Sequence, residues 1–295
     1  MKTILVPTDF SPRADNACRF ALEIARESNA RIILMHAFET PVLYSEMPML
    51  EIDMNFASLR ESALLKLNKY YKKIGKAAKG VRIEFLVQQG LPSARINETA
   101  LEKKADLVVM GTTGTGAMER VLIGSNAARV IRNAPCMVLA IPPKAKYNGL
   151  KKIVYTTDMS LGNLSHARTI IPVAKIFNAE ILFLNVNTSL FSDTGKKNLE
   201  KMTVKIKSHI RYPKISGYMS DSPNVANGIN FFLKKHKADC LAMYTYHKGI
   251  FDKIFRMSIT SSMAVHTTIP LLVIHESDFM EEPVHTKNMK VAVLN

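Results

Sequence analysis

The fold of this chain is decided by a stretch near its start, Thr3-Ile-Leu-Val-Pro-Thr-Asp9-Phe-Ser11. A matching stretch begins 149 residues later and reads Lys152-Ile-Val-Tyr-Thr-Thr-Asp158-Met-Ser160. Both are short apolar runs that lead into a Thr-Asp pair, and apolar residues at successive positions are typical of a strand covered on both faces. Each half of the chain is therefore predicted to open with a buried strand.

Further matched segments extend this repeat through both halves: residues 30–37 align with 179–186, residues 104–111 with 237–244, and residues 134–139 with 269–274. An internal repeat of this kind predicts two copies of one domain in tandem. The predicted division of the chain is a first domain over residues 1–143, a linker over 144–149, a second domain over 150–276 and a C-terminal tail over 277–295. The linker follows Pro142-Pro143, because consecutive prolines cannot continue a strand.

Apolar runs alternate with longer segments of helical period in each half, which predicts a parallel sheet with helices on both faces. In the first half the predicted strands lie near residues 3–7, 31–37, 81–87, 106–111 and 136–141. The first predicted helix begins at Ser11-Pro12, the second spans residues 52–79, the third begins at Pro92, and a fourth begins at Ser125 and runs to Arg132. The second half repeats the order, with a shorter second helix near 196–209. The first helix is expected to bury Ala17, Phe20, Ala21, Ile24 and Ala25, and the second to bury Leu64, Leu65 and Leu67.

The predicted fold class is α/β, with two tandem doubly wound parallel-sheet domains of strand order 3-2-1-4-5. In this order the winding reverses between strands one and four, and ligands of such sheets bind at that reversal, beyond the carboxyl ends of the strands. The loop after Gly111 is therefore expected beside Asp9.

Composition indicates a folded protein without a membrane helix. The 295 residues, 47% of them hydrophobic and 22% charged, suffice for two domain cores. No apolar run approaches the roughly 18 residues that span a bilayer, and the residues before Pro7 are too few for a signal peptide. Three scattered cysteines, Cys18, Cys136 and Cys240, predict neither disulfides nor a zinc site. A cytoplasmic location is therefore expected.

The segment with the clearest chemistry is a glycine loop that begins Gly111-Thr-Thr-Gly114-Thr-Gly116 and ends Gly124-Ser125-Asn126-Ala127. Glycine allows backbone amides to approach an anion closely, and Ser125 opens a helix whose free amides and dipole favour phosphate. A flexible surface turn is the alternative interpretation.

These features resemble the universal stress protein family, and the resemblance covers both halves. The ATP-binding signature of that family is Gly, two residues, Gly, nine residues, Gly, then Ser or Thr, and Gly111, Gly114, Gly124 and Ser125 meet this spacing. The resemblance implies a Rossmann-like fold of the adenine nucleotide alpha hydrolase type and binding of ATP, ADP or AMP. It also implies Mg²⁺ or another divalent cation at the nucleotide, with no metal site formed by protein side chains alone. It places the adenine beside Pro7, Thr8, Asp9 and Ala37, the ribose and phosphates beside Met110, Gly111, Thr113 and Gly114, and the remaining phosphates beside Gly124, Ser125, Asn126 and Ala127.

Three residues in or near the expected site need a separate interpretation. Asp9 either contacts the ligand or caps the first helix and organises its turn. His36, inside an apolar strand and without a catalytic partner in the sequence, is interpreted as a structural residue. Asn126 departs from the small or β-branched residue that the family often has there, which affects its side-chain contact but not the backbone cradle.

The second half lacks the glycines of this loop. Counted forward from the strand, Tyr244, His247 and Met257 replace them, and counted back from Pro270, Ile259-Thr260 stands opposite Gly124-Ser125. One competent site per chain and a degenerate second domain are therefore predicted. Tyr244, Tyr246 and His247 either form a different pocket or fill the vacated space.

The expected function is that of a nucleotide-dependent stress-response regulator, because neither a Walker A lysine nor a nucleophile–base pair is present. A slow ATPase or self-phosphorylating enzyme remains one alternative. Another is a nucleotide-independent scaffold for an acidic protein, since residues 1–143 carry a net charge of +5 and residues 144–295 one of +10. Nucleic acid is not expected, because no aromatic platform accompanies the lysines. The resemblance further implies dimer-like pairing through the fifth strands, residues 135–141 and 270–274, within one chain or in a homodimer. The apolar Val291–Leu294 is either an additional edge strand or a frayed terminus.

Overall fold

A computed structural model describes residues 1–39, 49–112, 124–157, 163–188, 200–201, 203–204, 212–245 and 268–275. The first half contains five strands and four helices: β1 (Thr3–Pro7), α1 (Pro12–Ser28), β2 (Arg31–Phe38), α2 (Met49–Ala78), β3 (Ile83–Gln89), α3 (Pro92–Glu102), β4 (Leu107–Gly111), α4 (Ser125–Asn133) and β5 (Met137–Ile141). The second half follows the same alternation: β6 (Lys152–Thr156), α5 (Asn163–Phe177), β7 (Glu180–Asn187), β8 (Ile215–Asp221), α6 (Val225–His236), β9 (Cys240–Thr245) and β10 (Leu271–His275). Residues 200–201 and 203–204 are helical and fall within the predicted short helix at 196–209.

The described strands form one sheet of ten, in the order β3-β2-β1-β4-β5-β10-β9-β6-β7-β8. The first five confirm the predicted order 3-2-1-4-5. Counted inward from the outermost strand β8, the second half has the equivalent order, β8-β7-β6-β9-β10. Neighbouring strands are parallel within each half, whereas β5 and β10 pair antiparallel, with Leu139 opposite Leu272. The carboxyl ends of the strands in the two halves consequently lie at opposite edges of the sheet.

Helices cover both faces of the first half. α1 and α2 pack on one face and α3 and α4 on the other. The predicted stripe of α1 is buried in full, because Ala17, Phe20, Ala21, Ile24 and Ala25 recur at the spacing of one helix face. Each face of the sheet carries a hydrophobic cluster that includes residues of both halves. No helix of the described residues is long and apolar enough to cross a membrane.

The interpretation of α2 was wrong at two positions. Leu67 is fully buried, but Leu64 is 37% exposed and Leu65 63% exposed. The buried stripe instead runs through Ala63, Leu67, Tyr70 and Ala78. Residues next to each other in sequence point about 100° apart on a helix, so three nearly consecutive leucines cannot all face the sheet.

The strand β3 begins two residues later than predicted, and its end shifts with it. Gly80, at a φ of +83°, turns the chain after α2, and Val81 and Arg82 lie in that connection. At the other end the strand reaches Gln89, because it pairs with β2 as far as Phe38.

Equivalent turns of the two halves share unusual backbone conformations. Asn29 after α1 and Asn178 after α5 adopt φ values of +54° and +50°. Lys104 after α3 and Lys237 after α6 adopt +49° and +51°. Left-handed residues are common where helices end, although they favour glycine or asparagine over lysine.

The starts of the two central strands are held by equivalent carboxylates. Asp106 Oδ2 accepts hydrogen bonds from two backbone amides at the start of β1, at 2.6 and 2.8 Å. Asp239 Oδ2 accepts two from the amides at the start of β6, at 3.1 and 2.8 Å. The same carboxylate therefore fixes the first strand of each half against the fourth.

The segment predicted as a linker packs against α1. Asn16 Nδ2 donates hydrogen bonds to the carbonyl oxygens of Pro142 and Ala145, at 3.3 and 3.0 Å. The Tyr147 hydroxyl donates to Glu27 Oε1 at 2.7 Å. Burial and this carboxylate raise the pKa of Tyr147, so that its hydroxyl stays protonated and remains a donor.

Candidate functional site

The expected ligand crevice lies where β1 and β4 run side by side. The two strands are parallel, with Leu5 opposite Val108, so their carboxyl ends reach the same edge of the sheet. The helix after β1 covers one face of the sheet, and the helices on either side of β4 cover the other. The winding therefore reverses between these strands, which is the position at which ligands of such sheets bind.

The loop after β1 is a tight turn in which side chains bond to backbone amides. The amide of Phe10 donates to Thr8 Oγ1 at 3.0 Å, and the amide of Ser11 donates to Asp9 Oδ1 at 3.0 Å. Thr8 is buried, whereas Asp9 is exposed. Asp9 thus organises the turn through one carboxylate oxygen while its side chain reaches the solvent at the strand edge.

Phe10 is the strained residue of this turn. Its φ of +64° lies in the left-handed region, which a bulky side chain rarely enters. The ring lies against two others, with its centroid 4.5 Å from that of His36 and 5.9 Å from that of Tyr70. These contacts compensate for the unfavourable backbone angle.

His36 has a structural role. Its Nδ1 lies 2.8 Å from the carbonyl oxygen of Thr8, and because a carbonyl only accepts, Nδ1 carries the proton. In the second half Asn185 stands at the matching position, and its Nδ2 donates to the carbonyl oxygen of Thr157 at 2.9 Å. The amide and the imidazole therefore make equivalent hydrogen bonds. In each half this bond links the second strand to the backbone just after the first strand.

The amino end of α4 lies at the end of β4 and has no side-chain cap among the described residues. The amide of Gly124 donates to the carbonyl oxygen of Thr112 at 2.6 Å, which draws this end of the helix to the end of β4. The first helical bond joins the amide of Ala128 to the carbonyl of Gly124 at 2.9 Å. Within the described part of the chain, no group accepts from the amides of Ser125, Asn126 or Ala127. Three convergent donors at the positive end of a helix dipole favour a phosphate.

Gly111 ends β4 where α1 begins. A β-carbon at this position would lie 3.3 Å from the carbonyl oxygen of Arg13, in the first turn of α1. The missing side chain therefore allows the helix and the strand end to approach closely. In the second half Tyr244 has this place, half-buried against the hydrophobic cluster on the same face of the sheet.

The structure brings most of the sequence-derived site residues to one edge. Asp9, Ser125 and Asn126 are exposed there, and Pro7, Ala37, Gly111 and Gly124 are half-buried. The side chains of Thr8, Met110 and Ala127 are buried, so Met110 and Ala127 can reach a ligand only through their backbone.

Several residues named above from the sequence lie outside the described residues. They include Thr113 and Gly114 of the glycine loop, and Asp158, Tyr246, His247, Met257, Ile259 and Thr260 of the second half. Val291–Leu294 also lies outside them.

Sequence reasoning missed one residue of the edge, Thr112. It is 5% exposed, and its Oγ1 has no hydrogen-bond partner among the described groups. A buried hydroxyl without a partner is unfavourable unless a ligand or water satisfies it. Its position inside the glycine loop is the only signal that the sequence offered.

A polar cluster lies between α1 and α2 next to the turn. Lys73 Nζ is 2.6 Å from Asp15 Oδ2, while Asp15 Oδ1 and the Tyr70 hydroxyl are buried and make no well-formed hydrogen bond with the described residues. Burial is the main cause that raises the pKa of Cys18 to about 11, and it also raises the pKa of Tyr70, with a smaller contribution from Cys18 and Asp15. Both groups therefore stay protonated at neutral pH. The described residues contain no group of three or more His, Cys, Asp or Glu that could hold a metal ion.

The chain is similar to known proteins along its first half and in its fold as a whole. A sequence model of the universal stress protein family matches residues 1–142. A universal stress protein of Methanocaldococcus jannaschii is 36% identical over 147 residues, which are 49% of this chain and 84% of the relative. One from Thermus aquaticus is 35% identical over 143 residues, 48% of this chain and 98% of the relative. The crystal structure of a universal stress protein from Archaeoglobus fulgidus superposes with a TM-score of 0.67 at 17% identity, covering 92% of this chain and 96% of that one.

Proposed function

Because the chain belongs to the universal stress protein family, we propose that its first half binds an adenine nucleotide, ATP foremost, in the crevice between β1 and β4. One observation carries the proposal: the amides of Ser125, Asn126 and Ala127 face this edge without an acceptor among the described residues. The glycine spacing that leads to them is that of a phosphate loop. Loops of this kind bind phosphate through the backbone, so that the geometry of the chain matters more than its side chains.

The two sides of the crevice take different parts of the nucleotide in this proposal. The turn from Pro7 to Asp9, together with Ala37, forms the adenine and ribose side. Gly111, Thr113 and Gly114 line the path of the phosphates, and the amino end of α4 binds their terminal oxygens. A divalent cation such as Mg²⁺ would be held mainly by the phosphates, since Mg²⁺ commonly keeps several waters and takes few protein ligands.

The second half has the degenerate site in this proposal. Tyr244 puts an aromatic side chain where Gly111 has only hydrogen, and a bulky side chain at this position would hinder a close approach of the backbone to phosphate. Residues 1–143 thus form a nucleotide-binding domain and residues 150–276 a second domain that supports it. The chain acts as a nucleotide-dependent regulator of the stress response rather than as a rapid enzyme. Its three buried free thiols are consistent with a reducing cytoplasm.

Nucleotide released from the purified, denatured protein and identified by mass spectrometry tests the proposal. We expect one adenine nucleotide per chain, and calorimetric titration of the emptied protein should return the same stoichiometry. Two nucleotides per chain would contradict the degenerate second site. No nucleotide released, and none bound at millimolar ATP, would overturn the proposed function.

Substitution Gly111→Val provides the matched structural test. The new side chain meets the Arg13 carbonyl and pushes α1 from β4, so ATP should bind at least about 10-fold more weakly, since small displacements of donors are costly. Gly75→Val is the control, because a β-carbon on Gly75 of α2 meets no atom within 4 Å. Equal losses of affinity in both variants would contradict the assigned role of Gly111.

A second candidate function rests on the surface of α2. Residues 62–83 contain seven lysines and arginines and no acidic residue, and among the described carboxylates only that of Asp15 pairs with one of them. A surface with one sign of charge attracts an acidic partner. The chain would then act as a scaffold for an acidic protein. Wild-type protein that binds no nucleotide but retains an acidic polypeptide at low salt would favour this function over the first.

A further inference from the structure

We propose that Tyr70 of α2 is a positioning residue for the nucleotide site, because its ring holds Phe10 in the left-handed conformation that places Asp9 at the strand edge. The inference rests on the proposed function and adds the means by which the adenine side of the site keeps its shape. It makes the packing of α2 on α1 a determinant of nucleotide affinity.

The turn that carries Asp9 needs support from outside itself. Its internal bonds, from the Phe10 amide to Thr8 Oγ1 and from the Ser11 amide to Asp9 Oδ1, are two single, half-buried hydrogen bonds between residues two apart in sequence. These two bonds alone do not account for the φ of +64° at Phe10. An aromatic residue adopts this backbone angle only when its surroundings impose it. The support must therefore act on the Phe10 side chain.

Two rings provide this support from different elements. His36 belongs to β2 and is fixed by its own bond to the Thr8 carbonyl, so it moves with the sheet. Tyr70 stands edge-on to Phe10, with an interplanar angle of 65°, and comes from a helix some sixty residues further along the chain. Only the second contact links the turn to α2.

Tyr70 is itself firmly placed. It is 5% exposed, and Lys73 Nζ lies 5.8 Å above its ring while pairing with Asp15 of α1. Its hydroxyl lies beside Cys18 and Asp15 and keeps its proton, since burial raises its pKa. These contacts join α2 to the first two turns of the helix that follows the strained turn.

The neighbouring Tyr71 supplies a matched control. It is 40% exposed, and its ring stacks edge-on against Phe85 of β3 at 5.3 Å, on the side of α2 away from the turn. Tyr70→Leu and Tyr71→Leu therefore remove the same side chain from consecutive positions of one helix, and only the first loses a contact with Phe10.

The test measures two properties of the full chain. The first is the hydrogen exchange of the amides of Phe10 and Ser11 in nucleotide-free protein, and the second is ATP affinity by titration. Tyr70→Leu should speed the exchange and weaken ATP binding about 2- to 12-fold, the equivalent of one aromatic pair. Tyr71→Leu should leave both properties within about 2-fold of the wild-type values, which is less than the change expected from the loss of one aromatic pair. Tyr70→Phe, which keeps the ring, should have the amide exchange rates and the ATP affinity of the wild-type protein.

The outcomes separate this inference from the function on which it rests. If wild-type protein binds ATP and the two leucine variants behave alike, the positioning role is wrong and the proposed function stands. If wild-type protein binds no ATP, the proposed function fails, and the exchange measurement alone decides whether Tyr70 orders the turn. Should Tyr70→Leu not fold, Phe10→Leu removes the same ring contact from the other side, and unchanged exchange at Ser11 and unchanged affinity would overturn the inference.

Discussion

Single residues of this chain take their roles from the atoms they meet rather than from their chemical type. His36 has the side chain of a catalyst, yet its Nδ1 is bound to the carbonyl of Thr8, and Asn185 makes the same contact in the second half. An imidazole and a carboxamide can each provide the single N–H donor that this contact requires. The histidine is therefore kept for that donor.

Replacement of His36 tests this interpretation. His36→Leu leaves the Thr8 carbonyl without its donor, whereas His36→Asn provides the donor that Asn185 provides. We expect His36→Leu to have a free energy of unfolding about 1 kcal/mol lower than His36→Asn, the typical contribution of one hydrogen bond. Urea denaturation of both variants measures the difference. Equal stabilities would show that the contact contributes nothing.

The residues of the candidate site divide into those that sequence could predict and those that it could not. Gly111, Gly124 and Ser125 can be named from the sequence alone, because the glycine spacing expected of a phosphate loop is a local pattern. Tyr70 cannot, since only the packed helix shows which of two adjacent tyrosines faces the turn. The predicted burial of Leu64 and Leu65 was wrong for the same reason, because the sequence of three nearly consecutive leucines does not show which one faces the sheet.

Helices and strands were predictable where the chain carries a start signal. Ser11 caps α1, accepting from the amide of Ala14 at 3.2 Å, and Pro92 opens α3. The start of β3 was misplaced because the turn at Gly80 continues for two residues before pairing with β2 begins. Register between strands, and not the apolar run alone, sets where a strand ends.

The helix ends offer a prediction about stability. Lys237 follows α6 in the left-handed conformation, with φ +51° and ψ +52°, where a β-carbon is unfavourable. Lys237→Gly removes this strain and should raise the free energy of unfolding by about 0.5 kcal/mol, after the loss of chain entropy in glycine is counted. Lys234→Gly, inside the same helix, should lower it by about 1 kcal/mol. Thermal unfolding of both variants provides the comparison. A lower free energy of unfolding for Lys237→Gly than for the wild-type protein would contradict the proposed strain at Lys237.

The whole molecule is joined by more than the pairing of β5 with β10. The hydrophobic clusters on both faces of the sheet continue from one half into the other, and the segment around Ala145 is bonded to Asn16 of α1. Each of the two clusters therefore continues across the junction between the halves.

Cooperative unfolding is the corresponding prediction. Because the cores are shared, we expect calorimetry to record a single transition whose van't Hoff and calorimetric enthalpies agree. Saturating ATP should shift that transition upward as a whole, since a ligand bound to one half stabilises everything that unfolds with it. Two transitions, of which ATP moves only one, would contradict the shared core.

The antiparallel junction of β5 and β10 also bears on how such a chain can evolve. In a two-fold homodimer of single domains every substitution occurs twice, so that a change which closes one binding site closes both. Here the corresponding edges are joined within one polypeptide, and the two copies are free to diverge. Tyr244 stands in the second half at the place that Gly111 has in the first, a difference that a symmetric pair of identical subunits cannot carry.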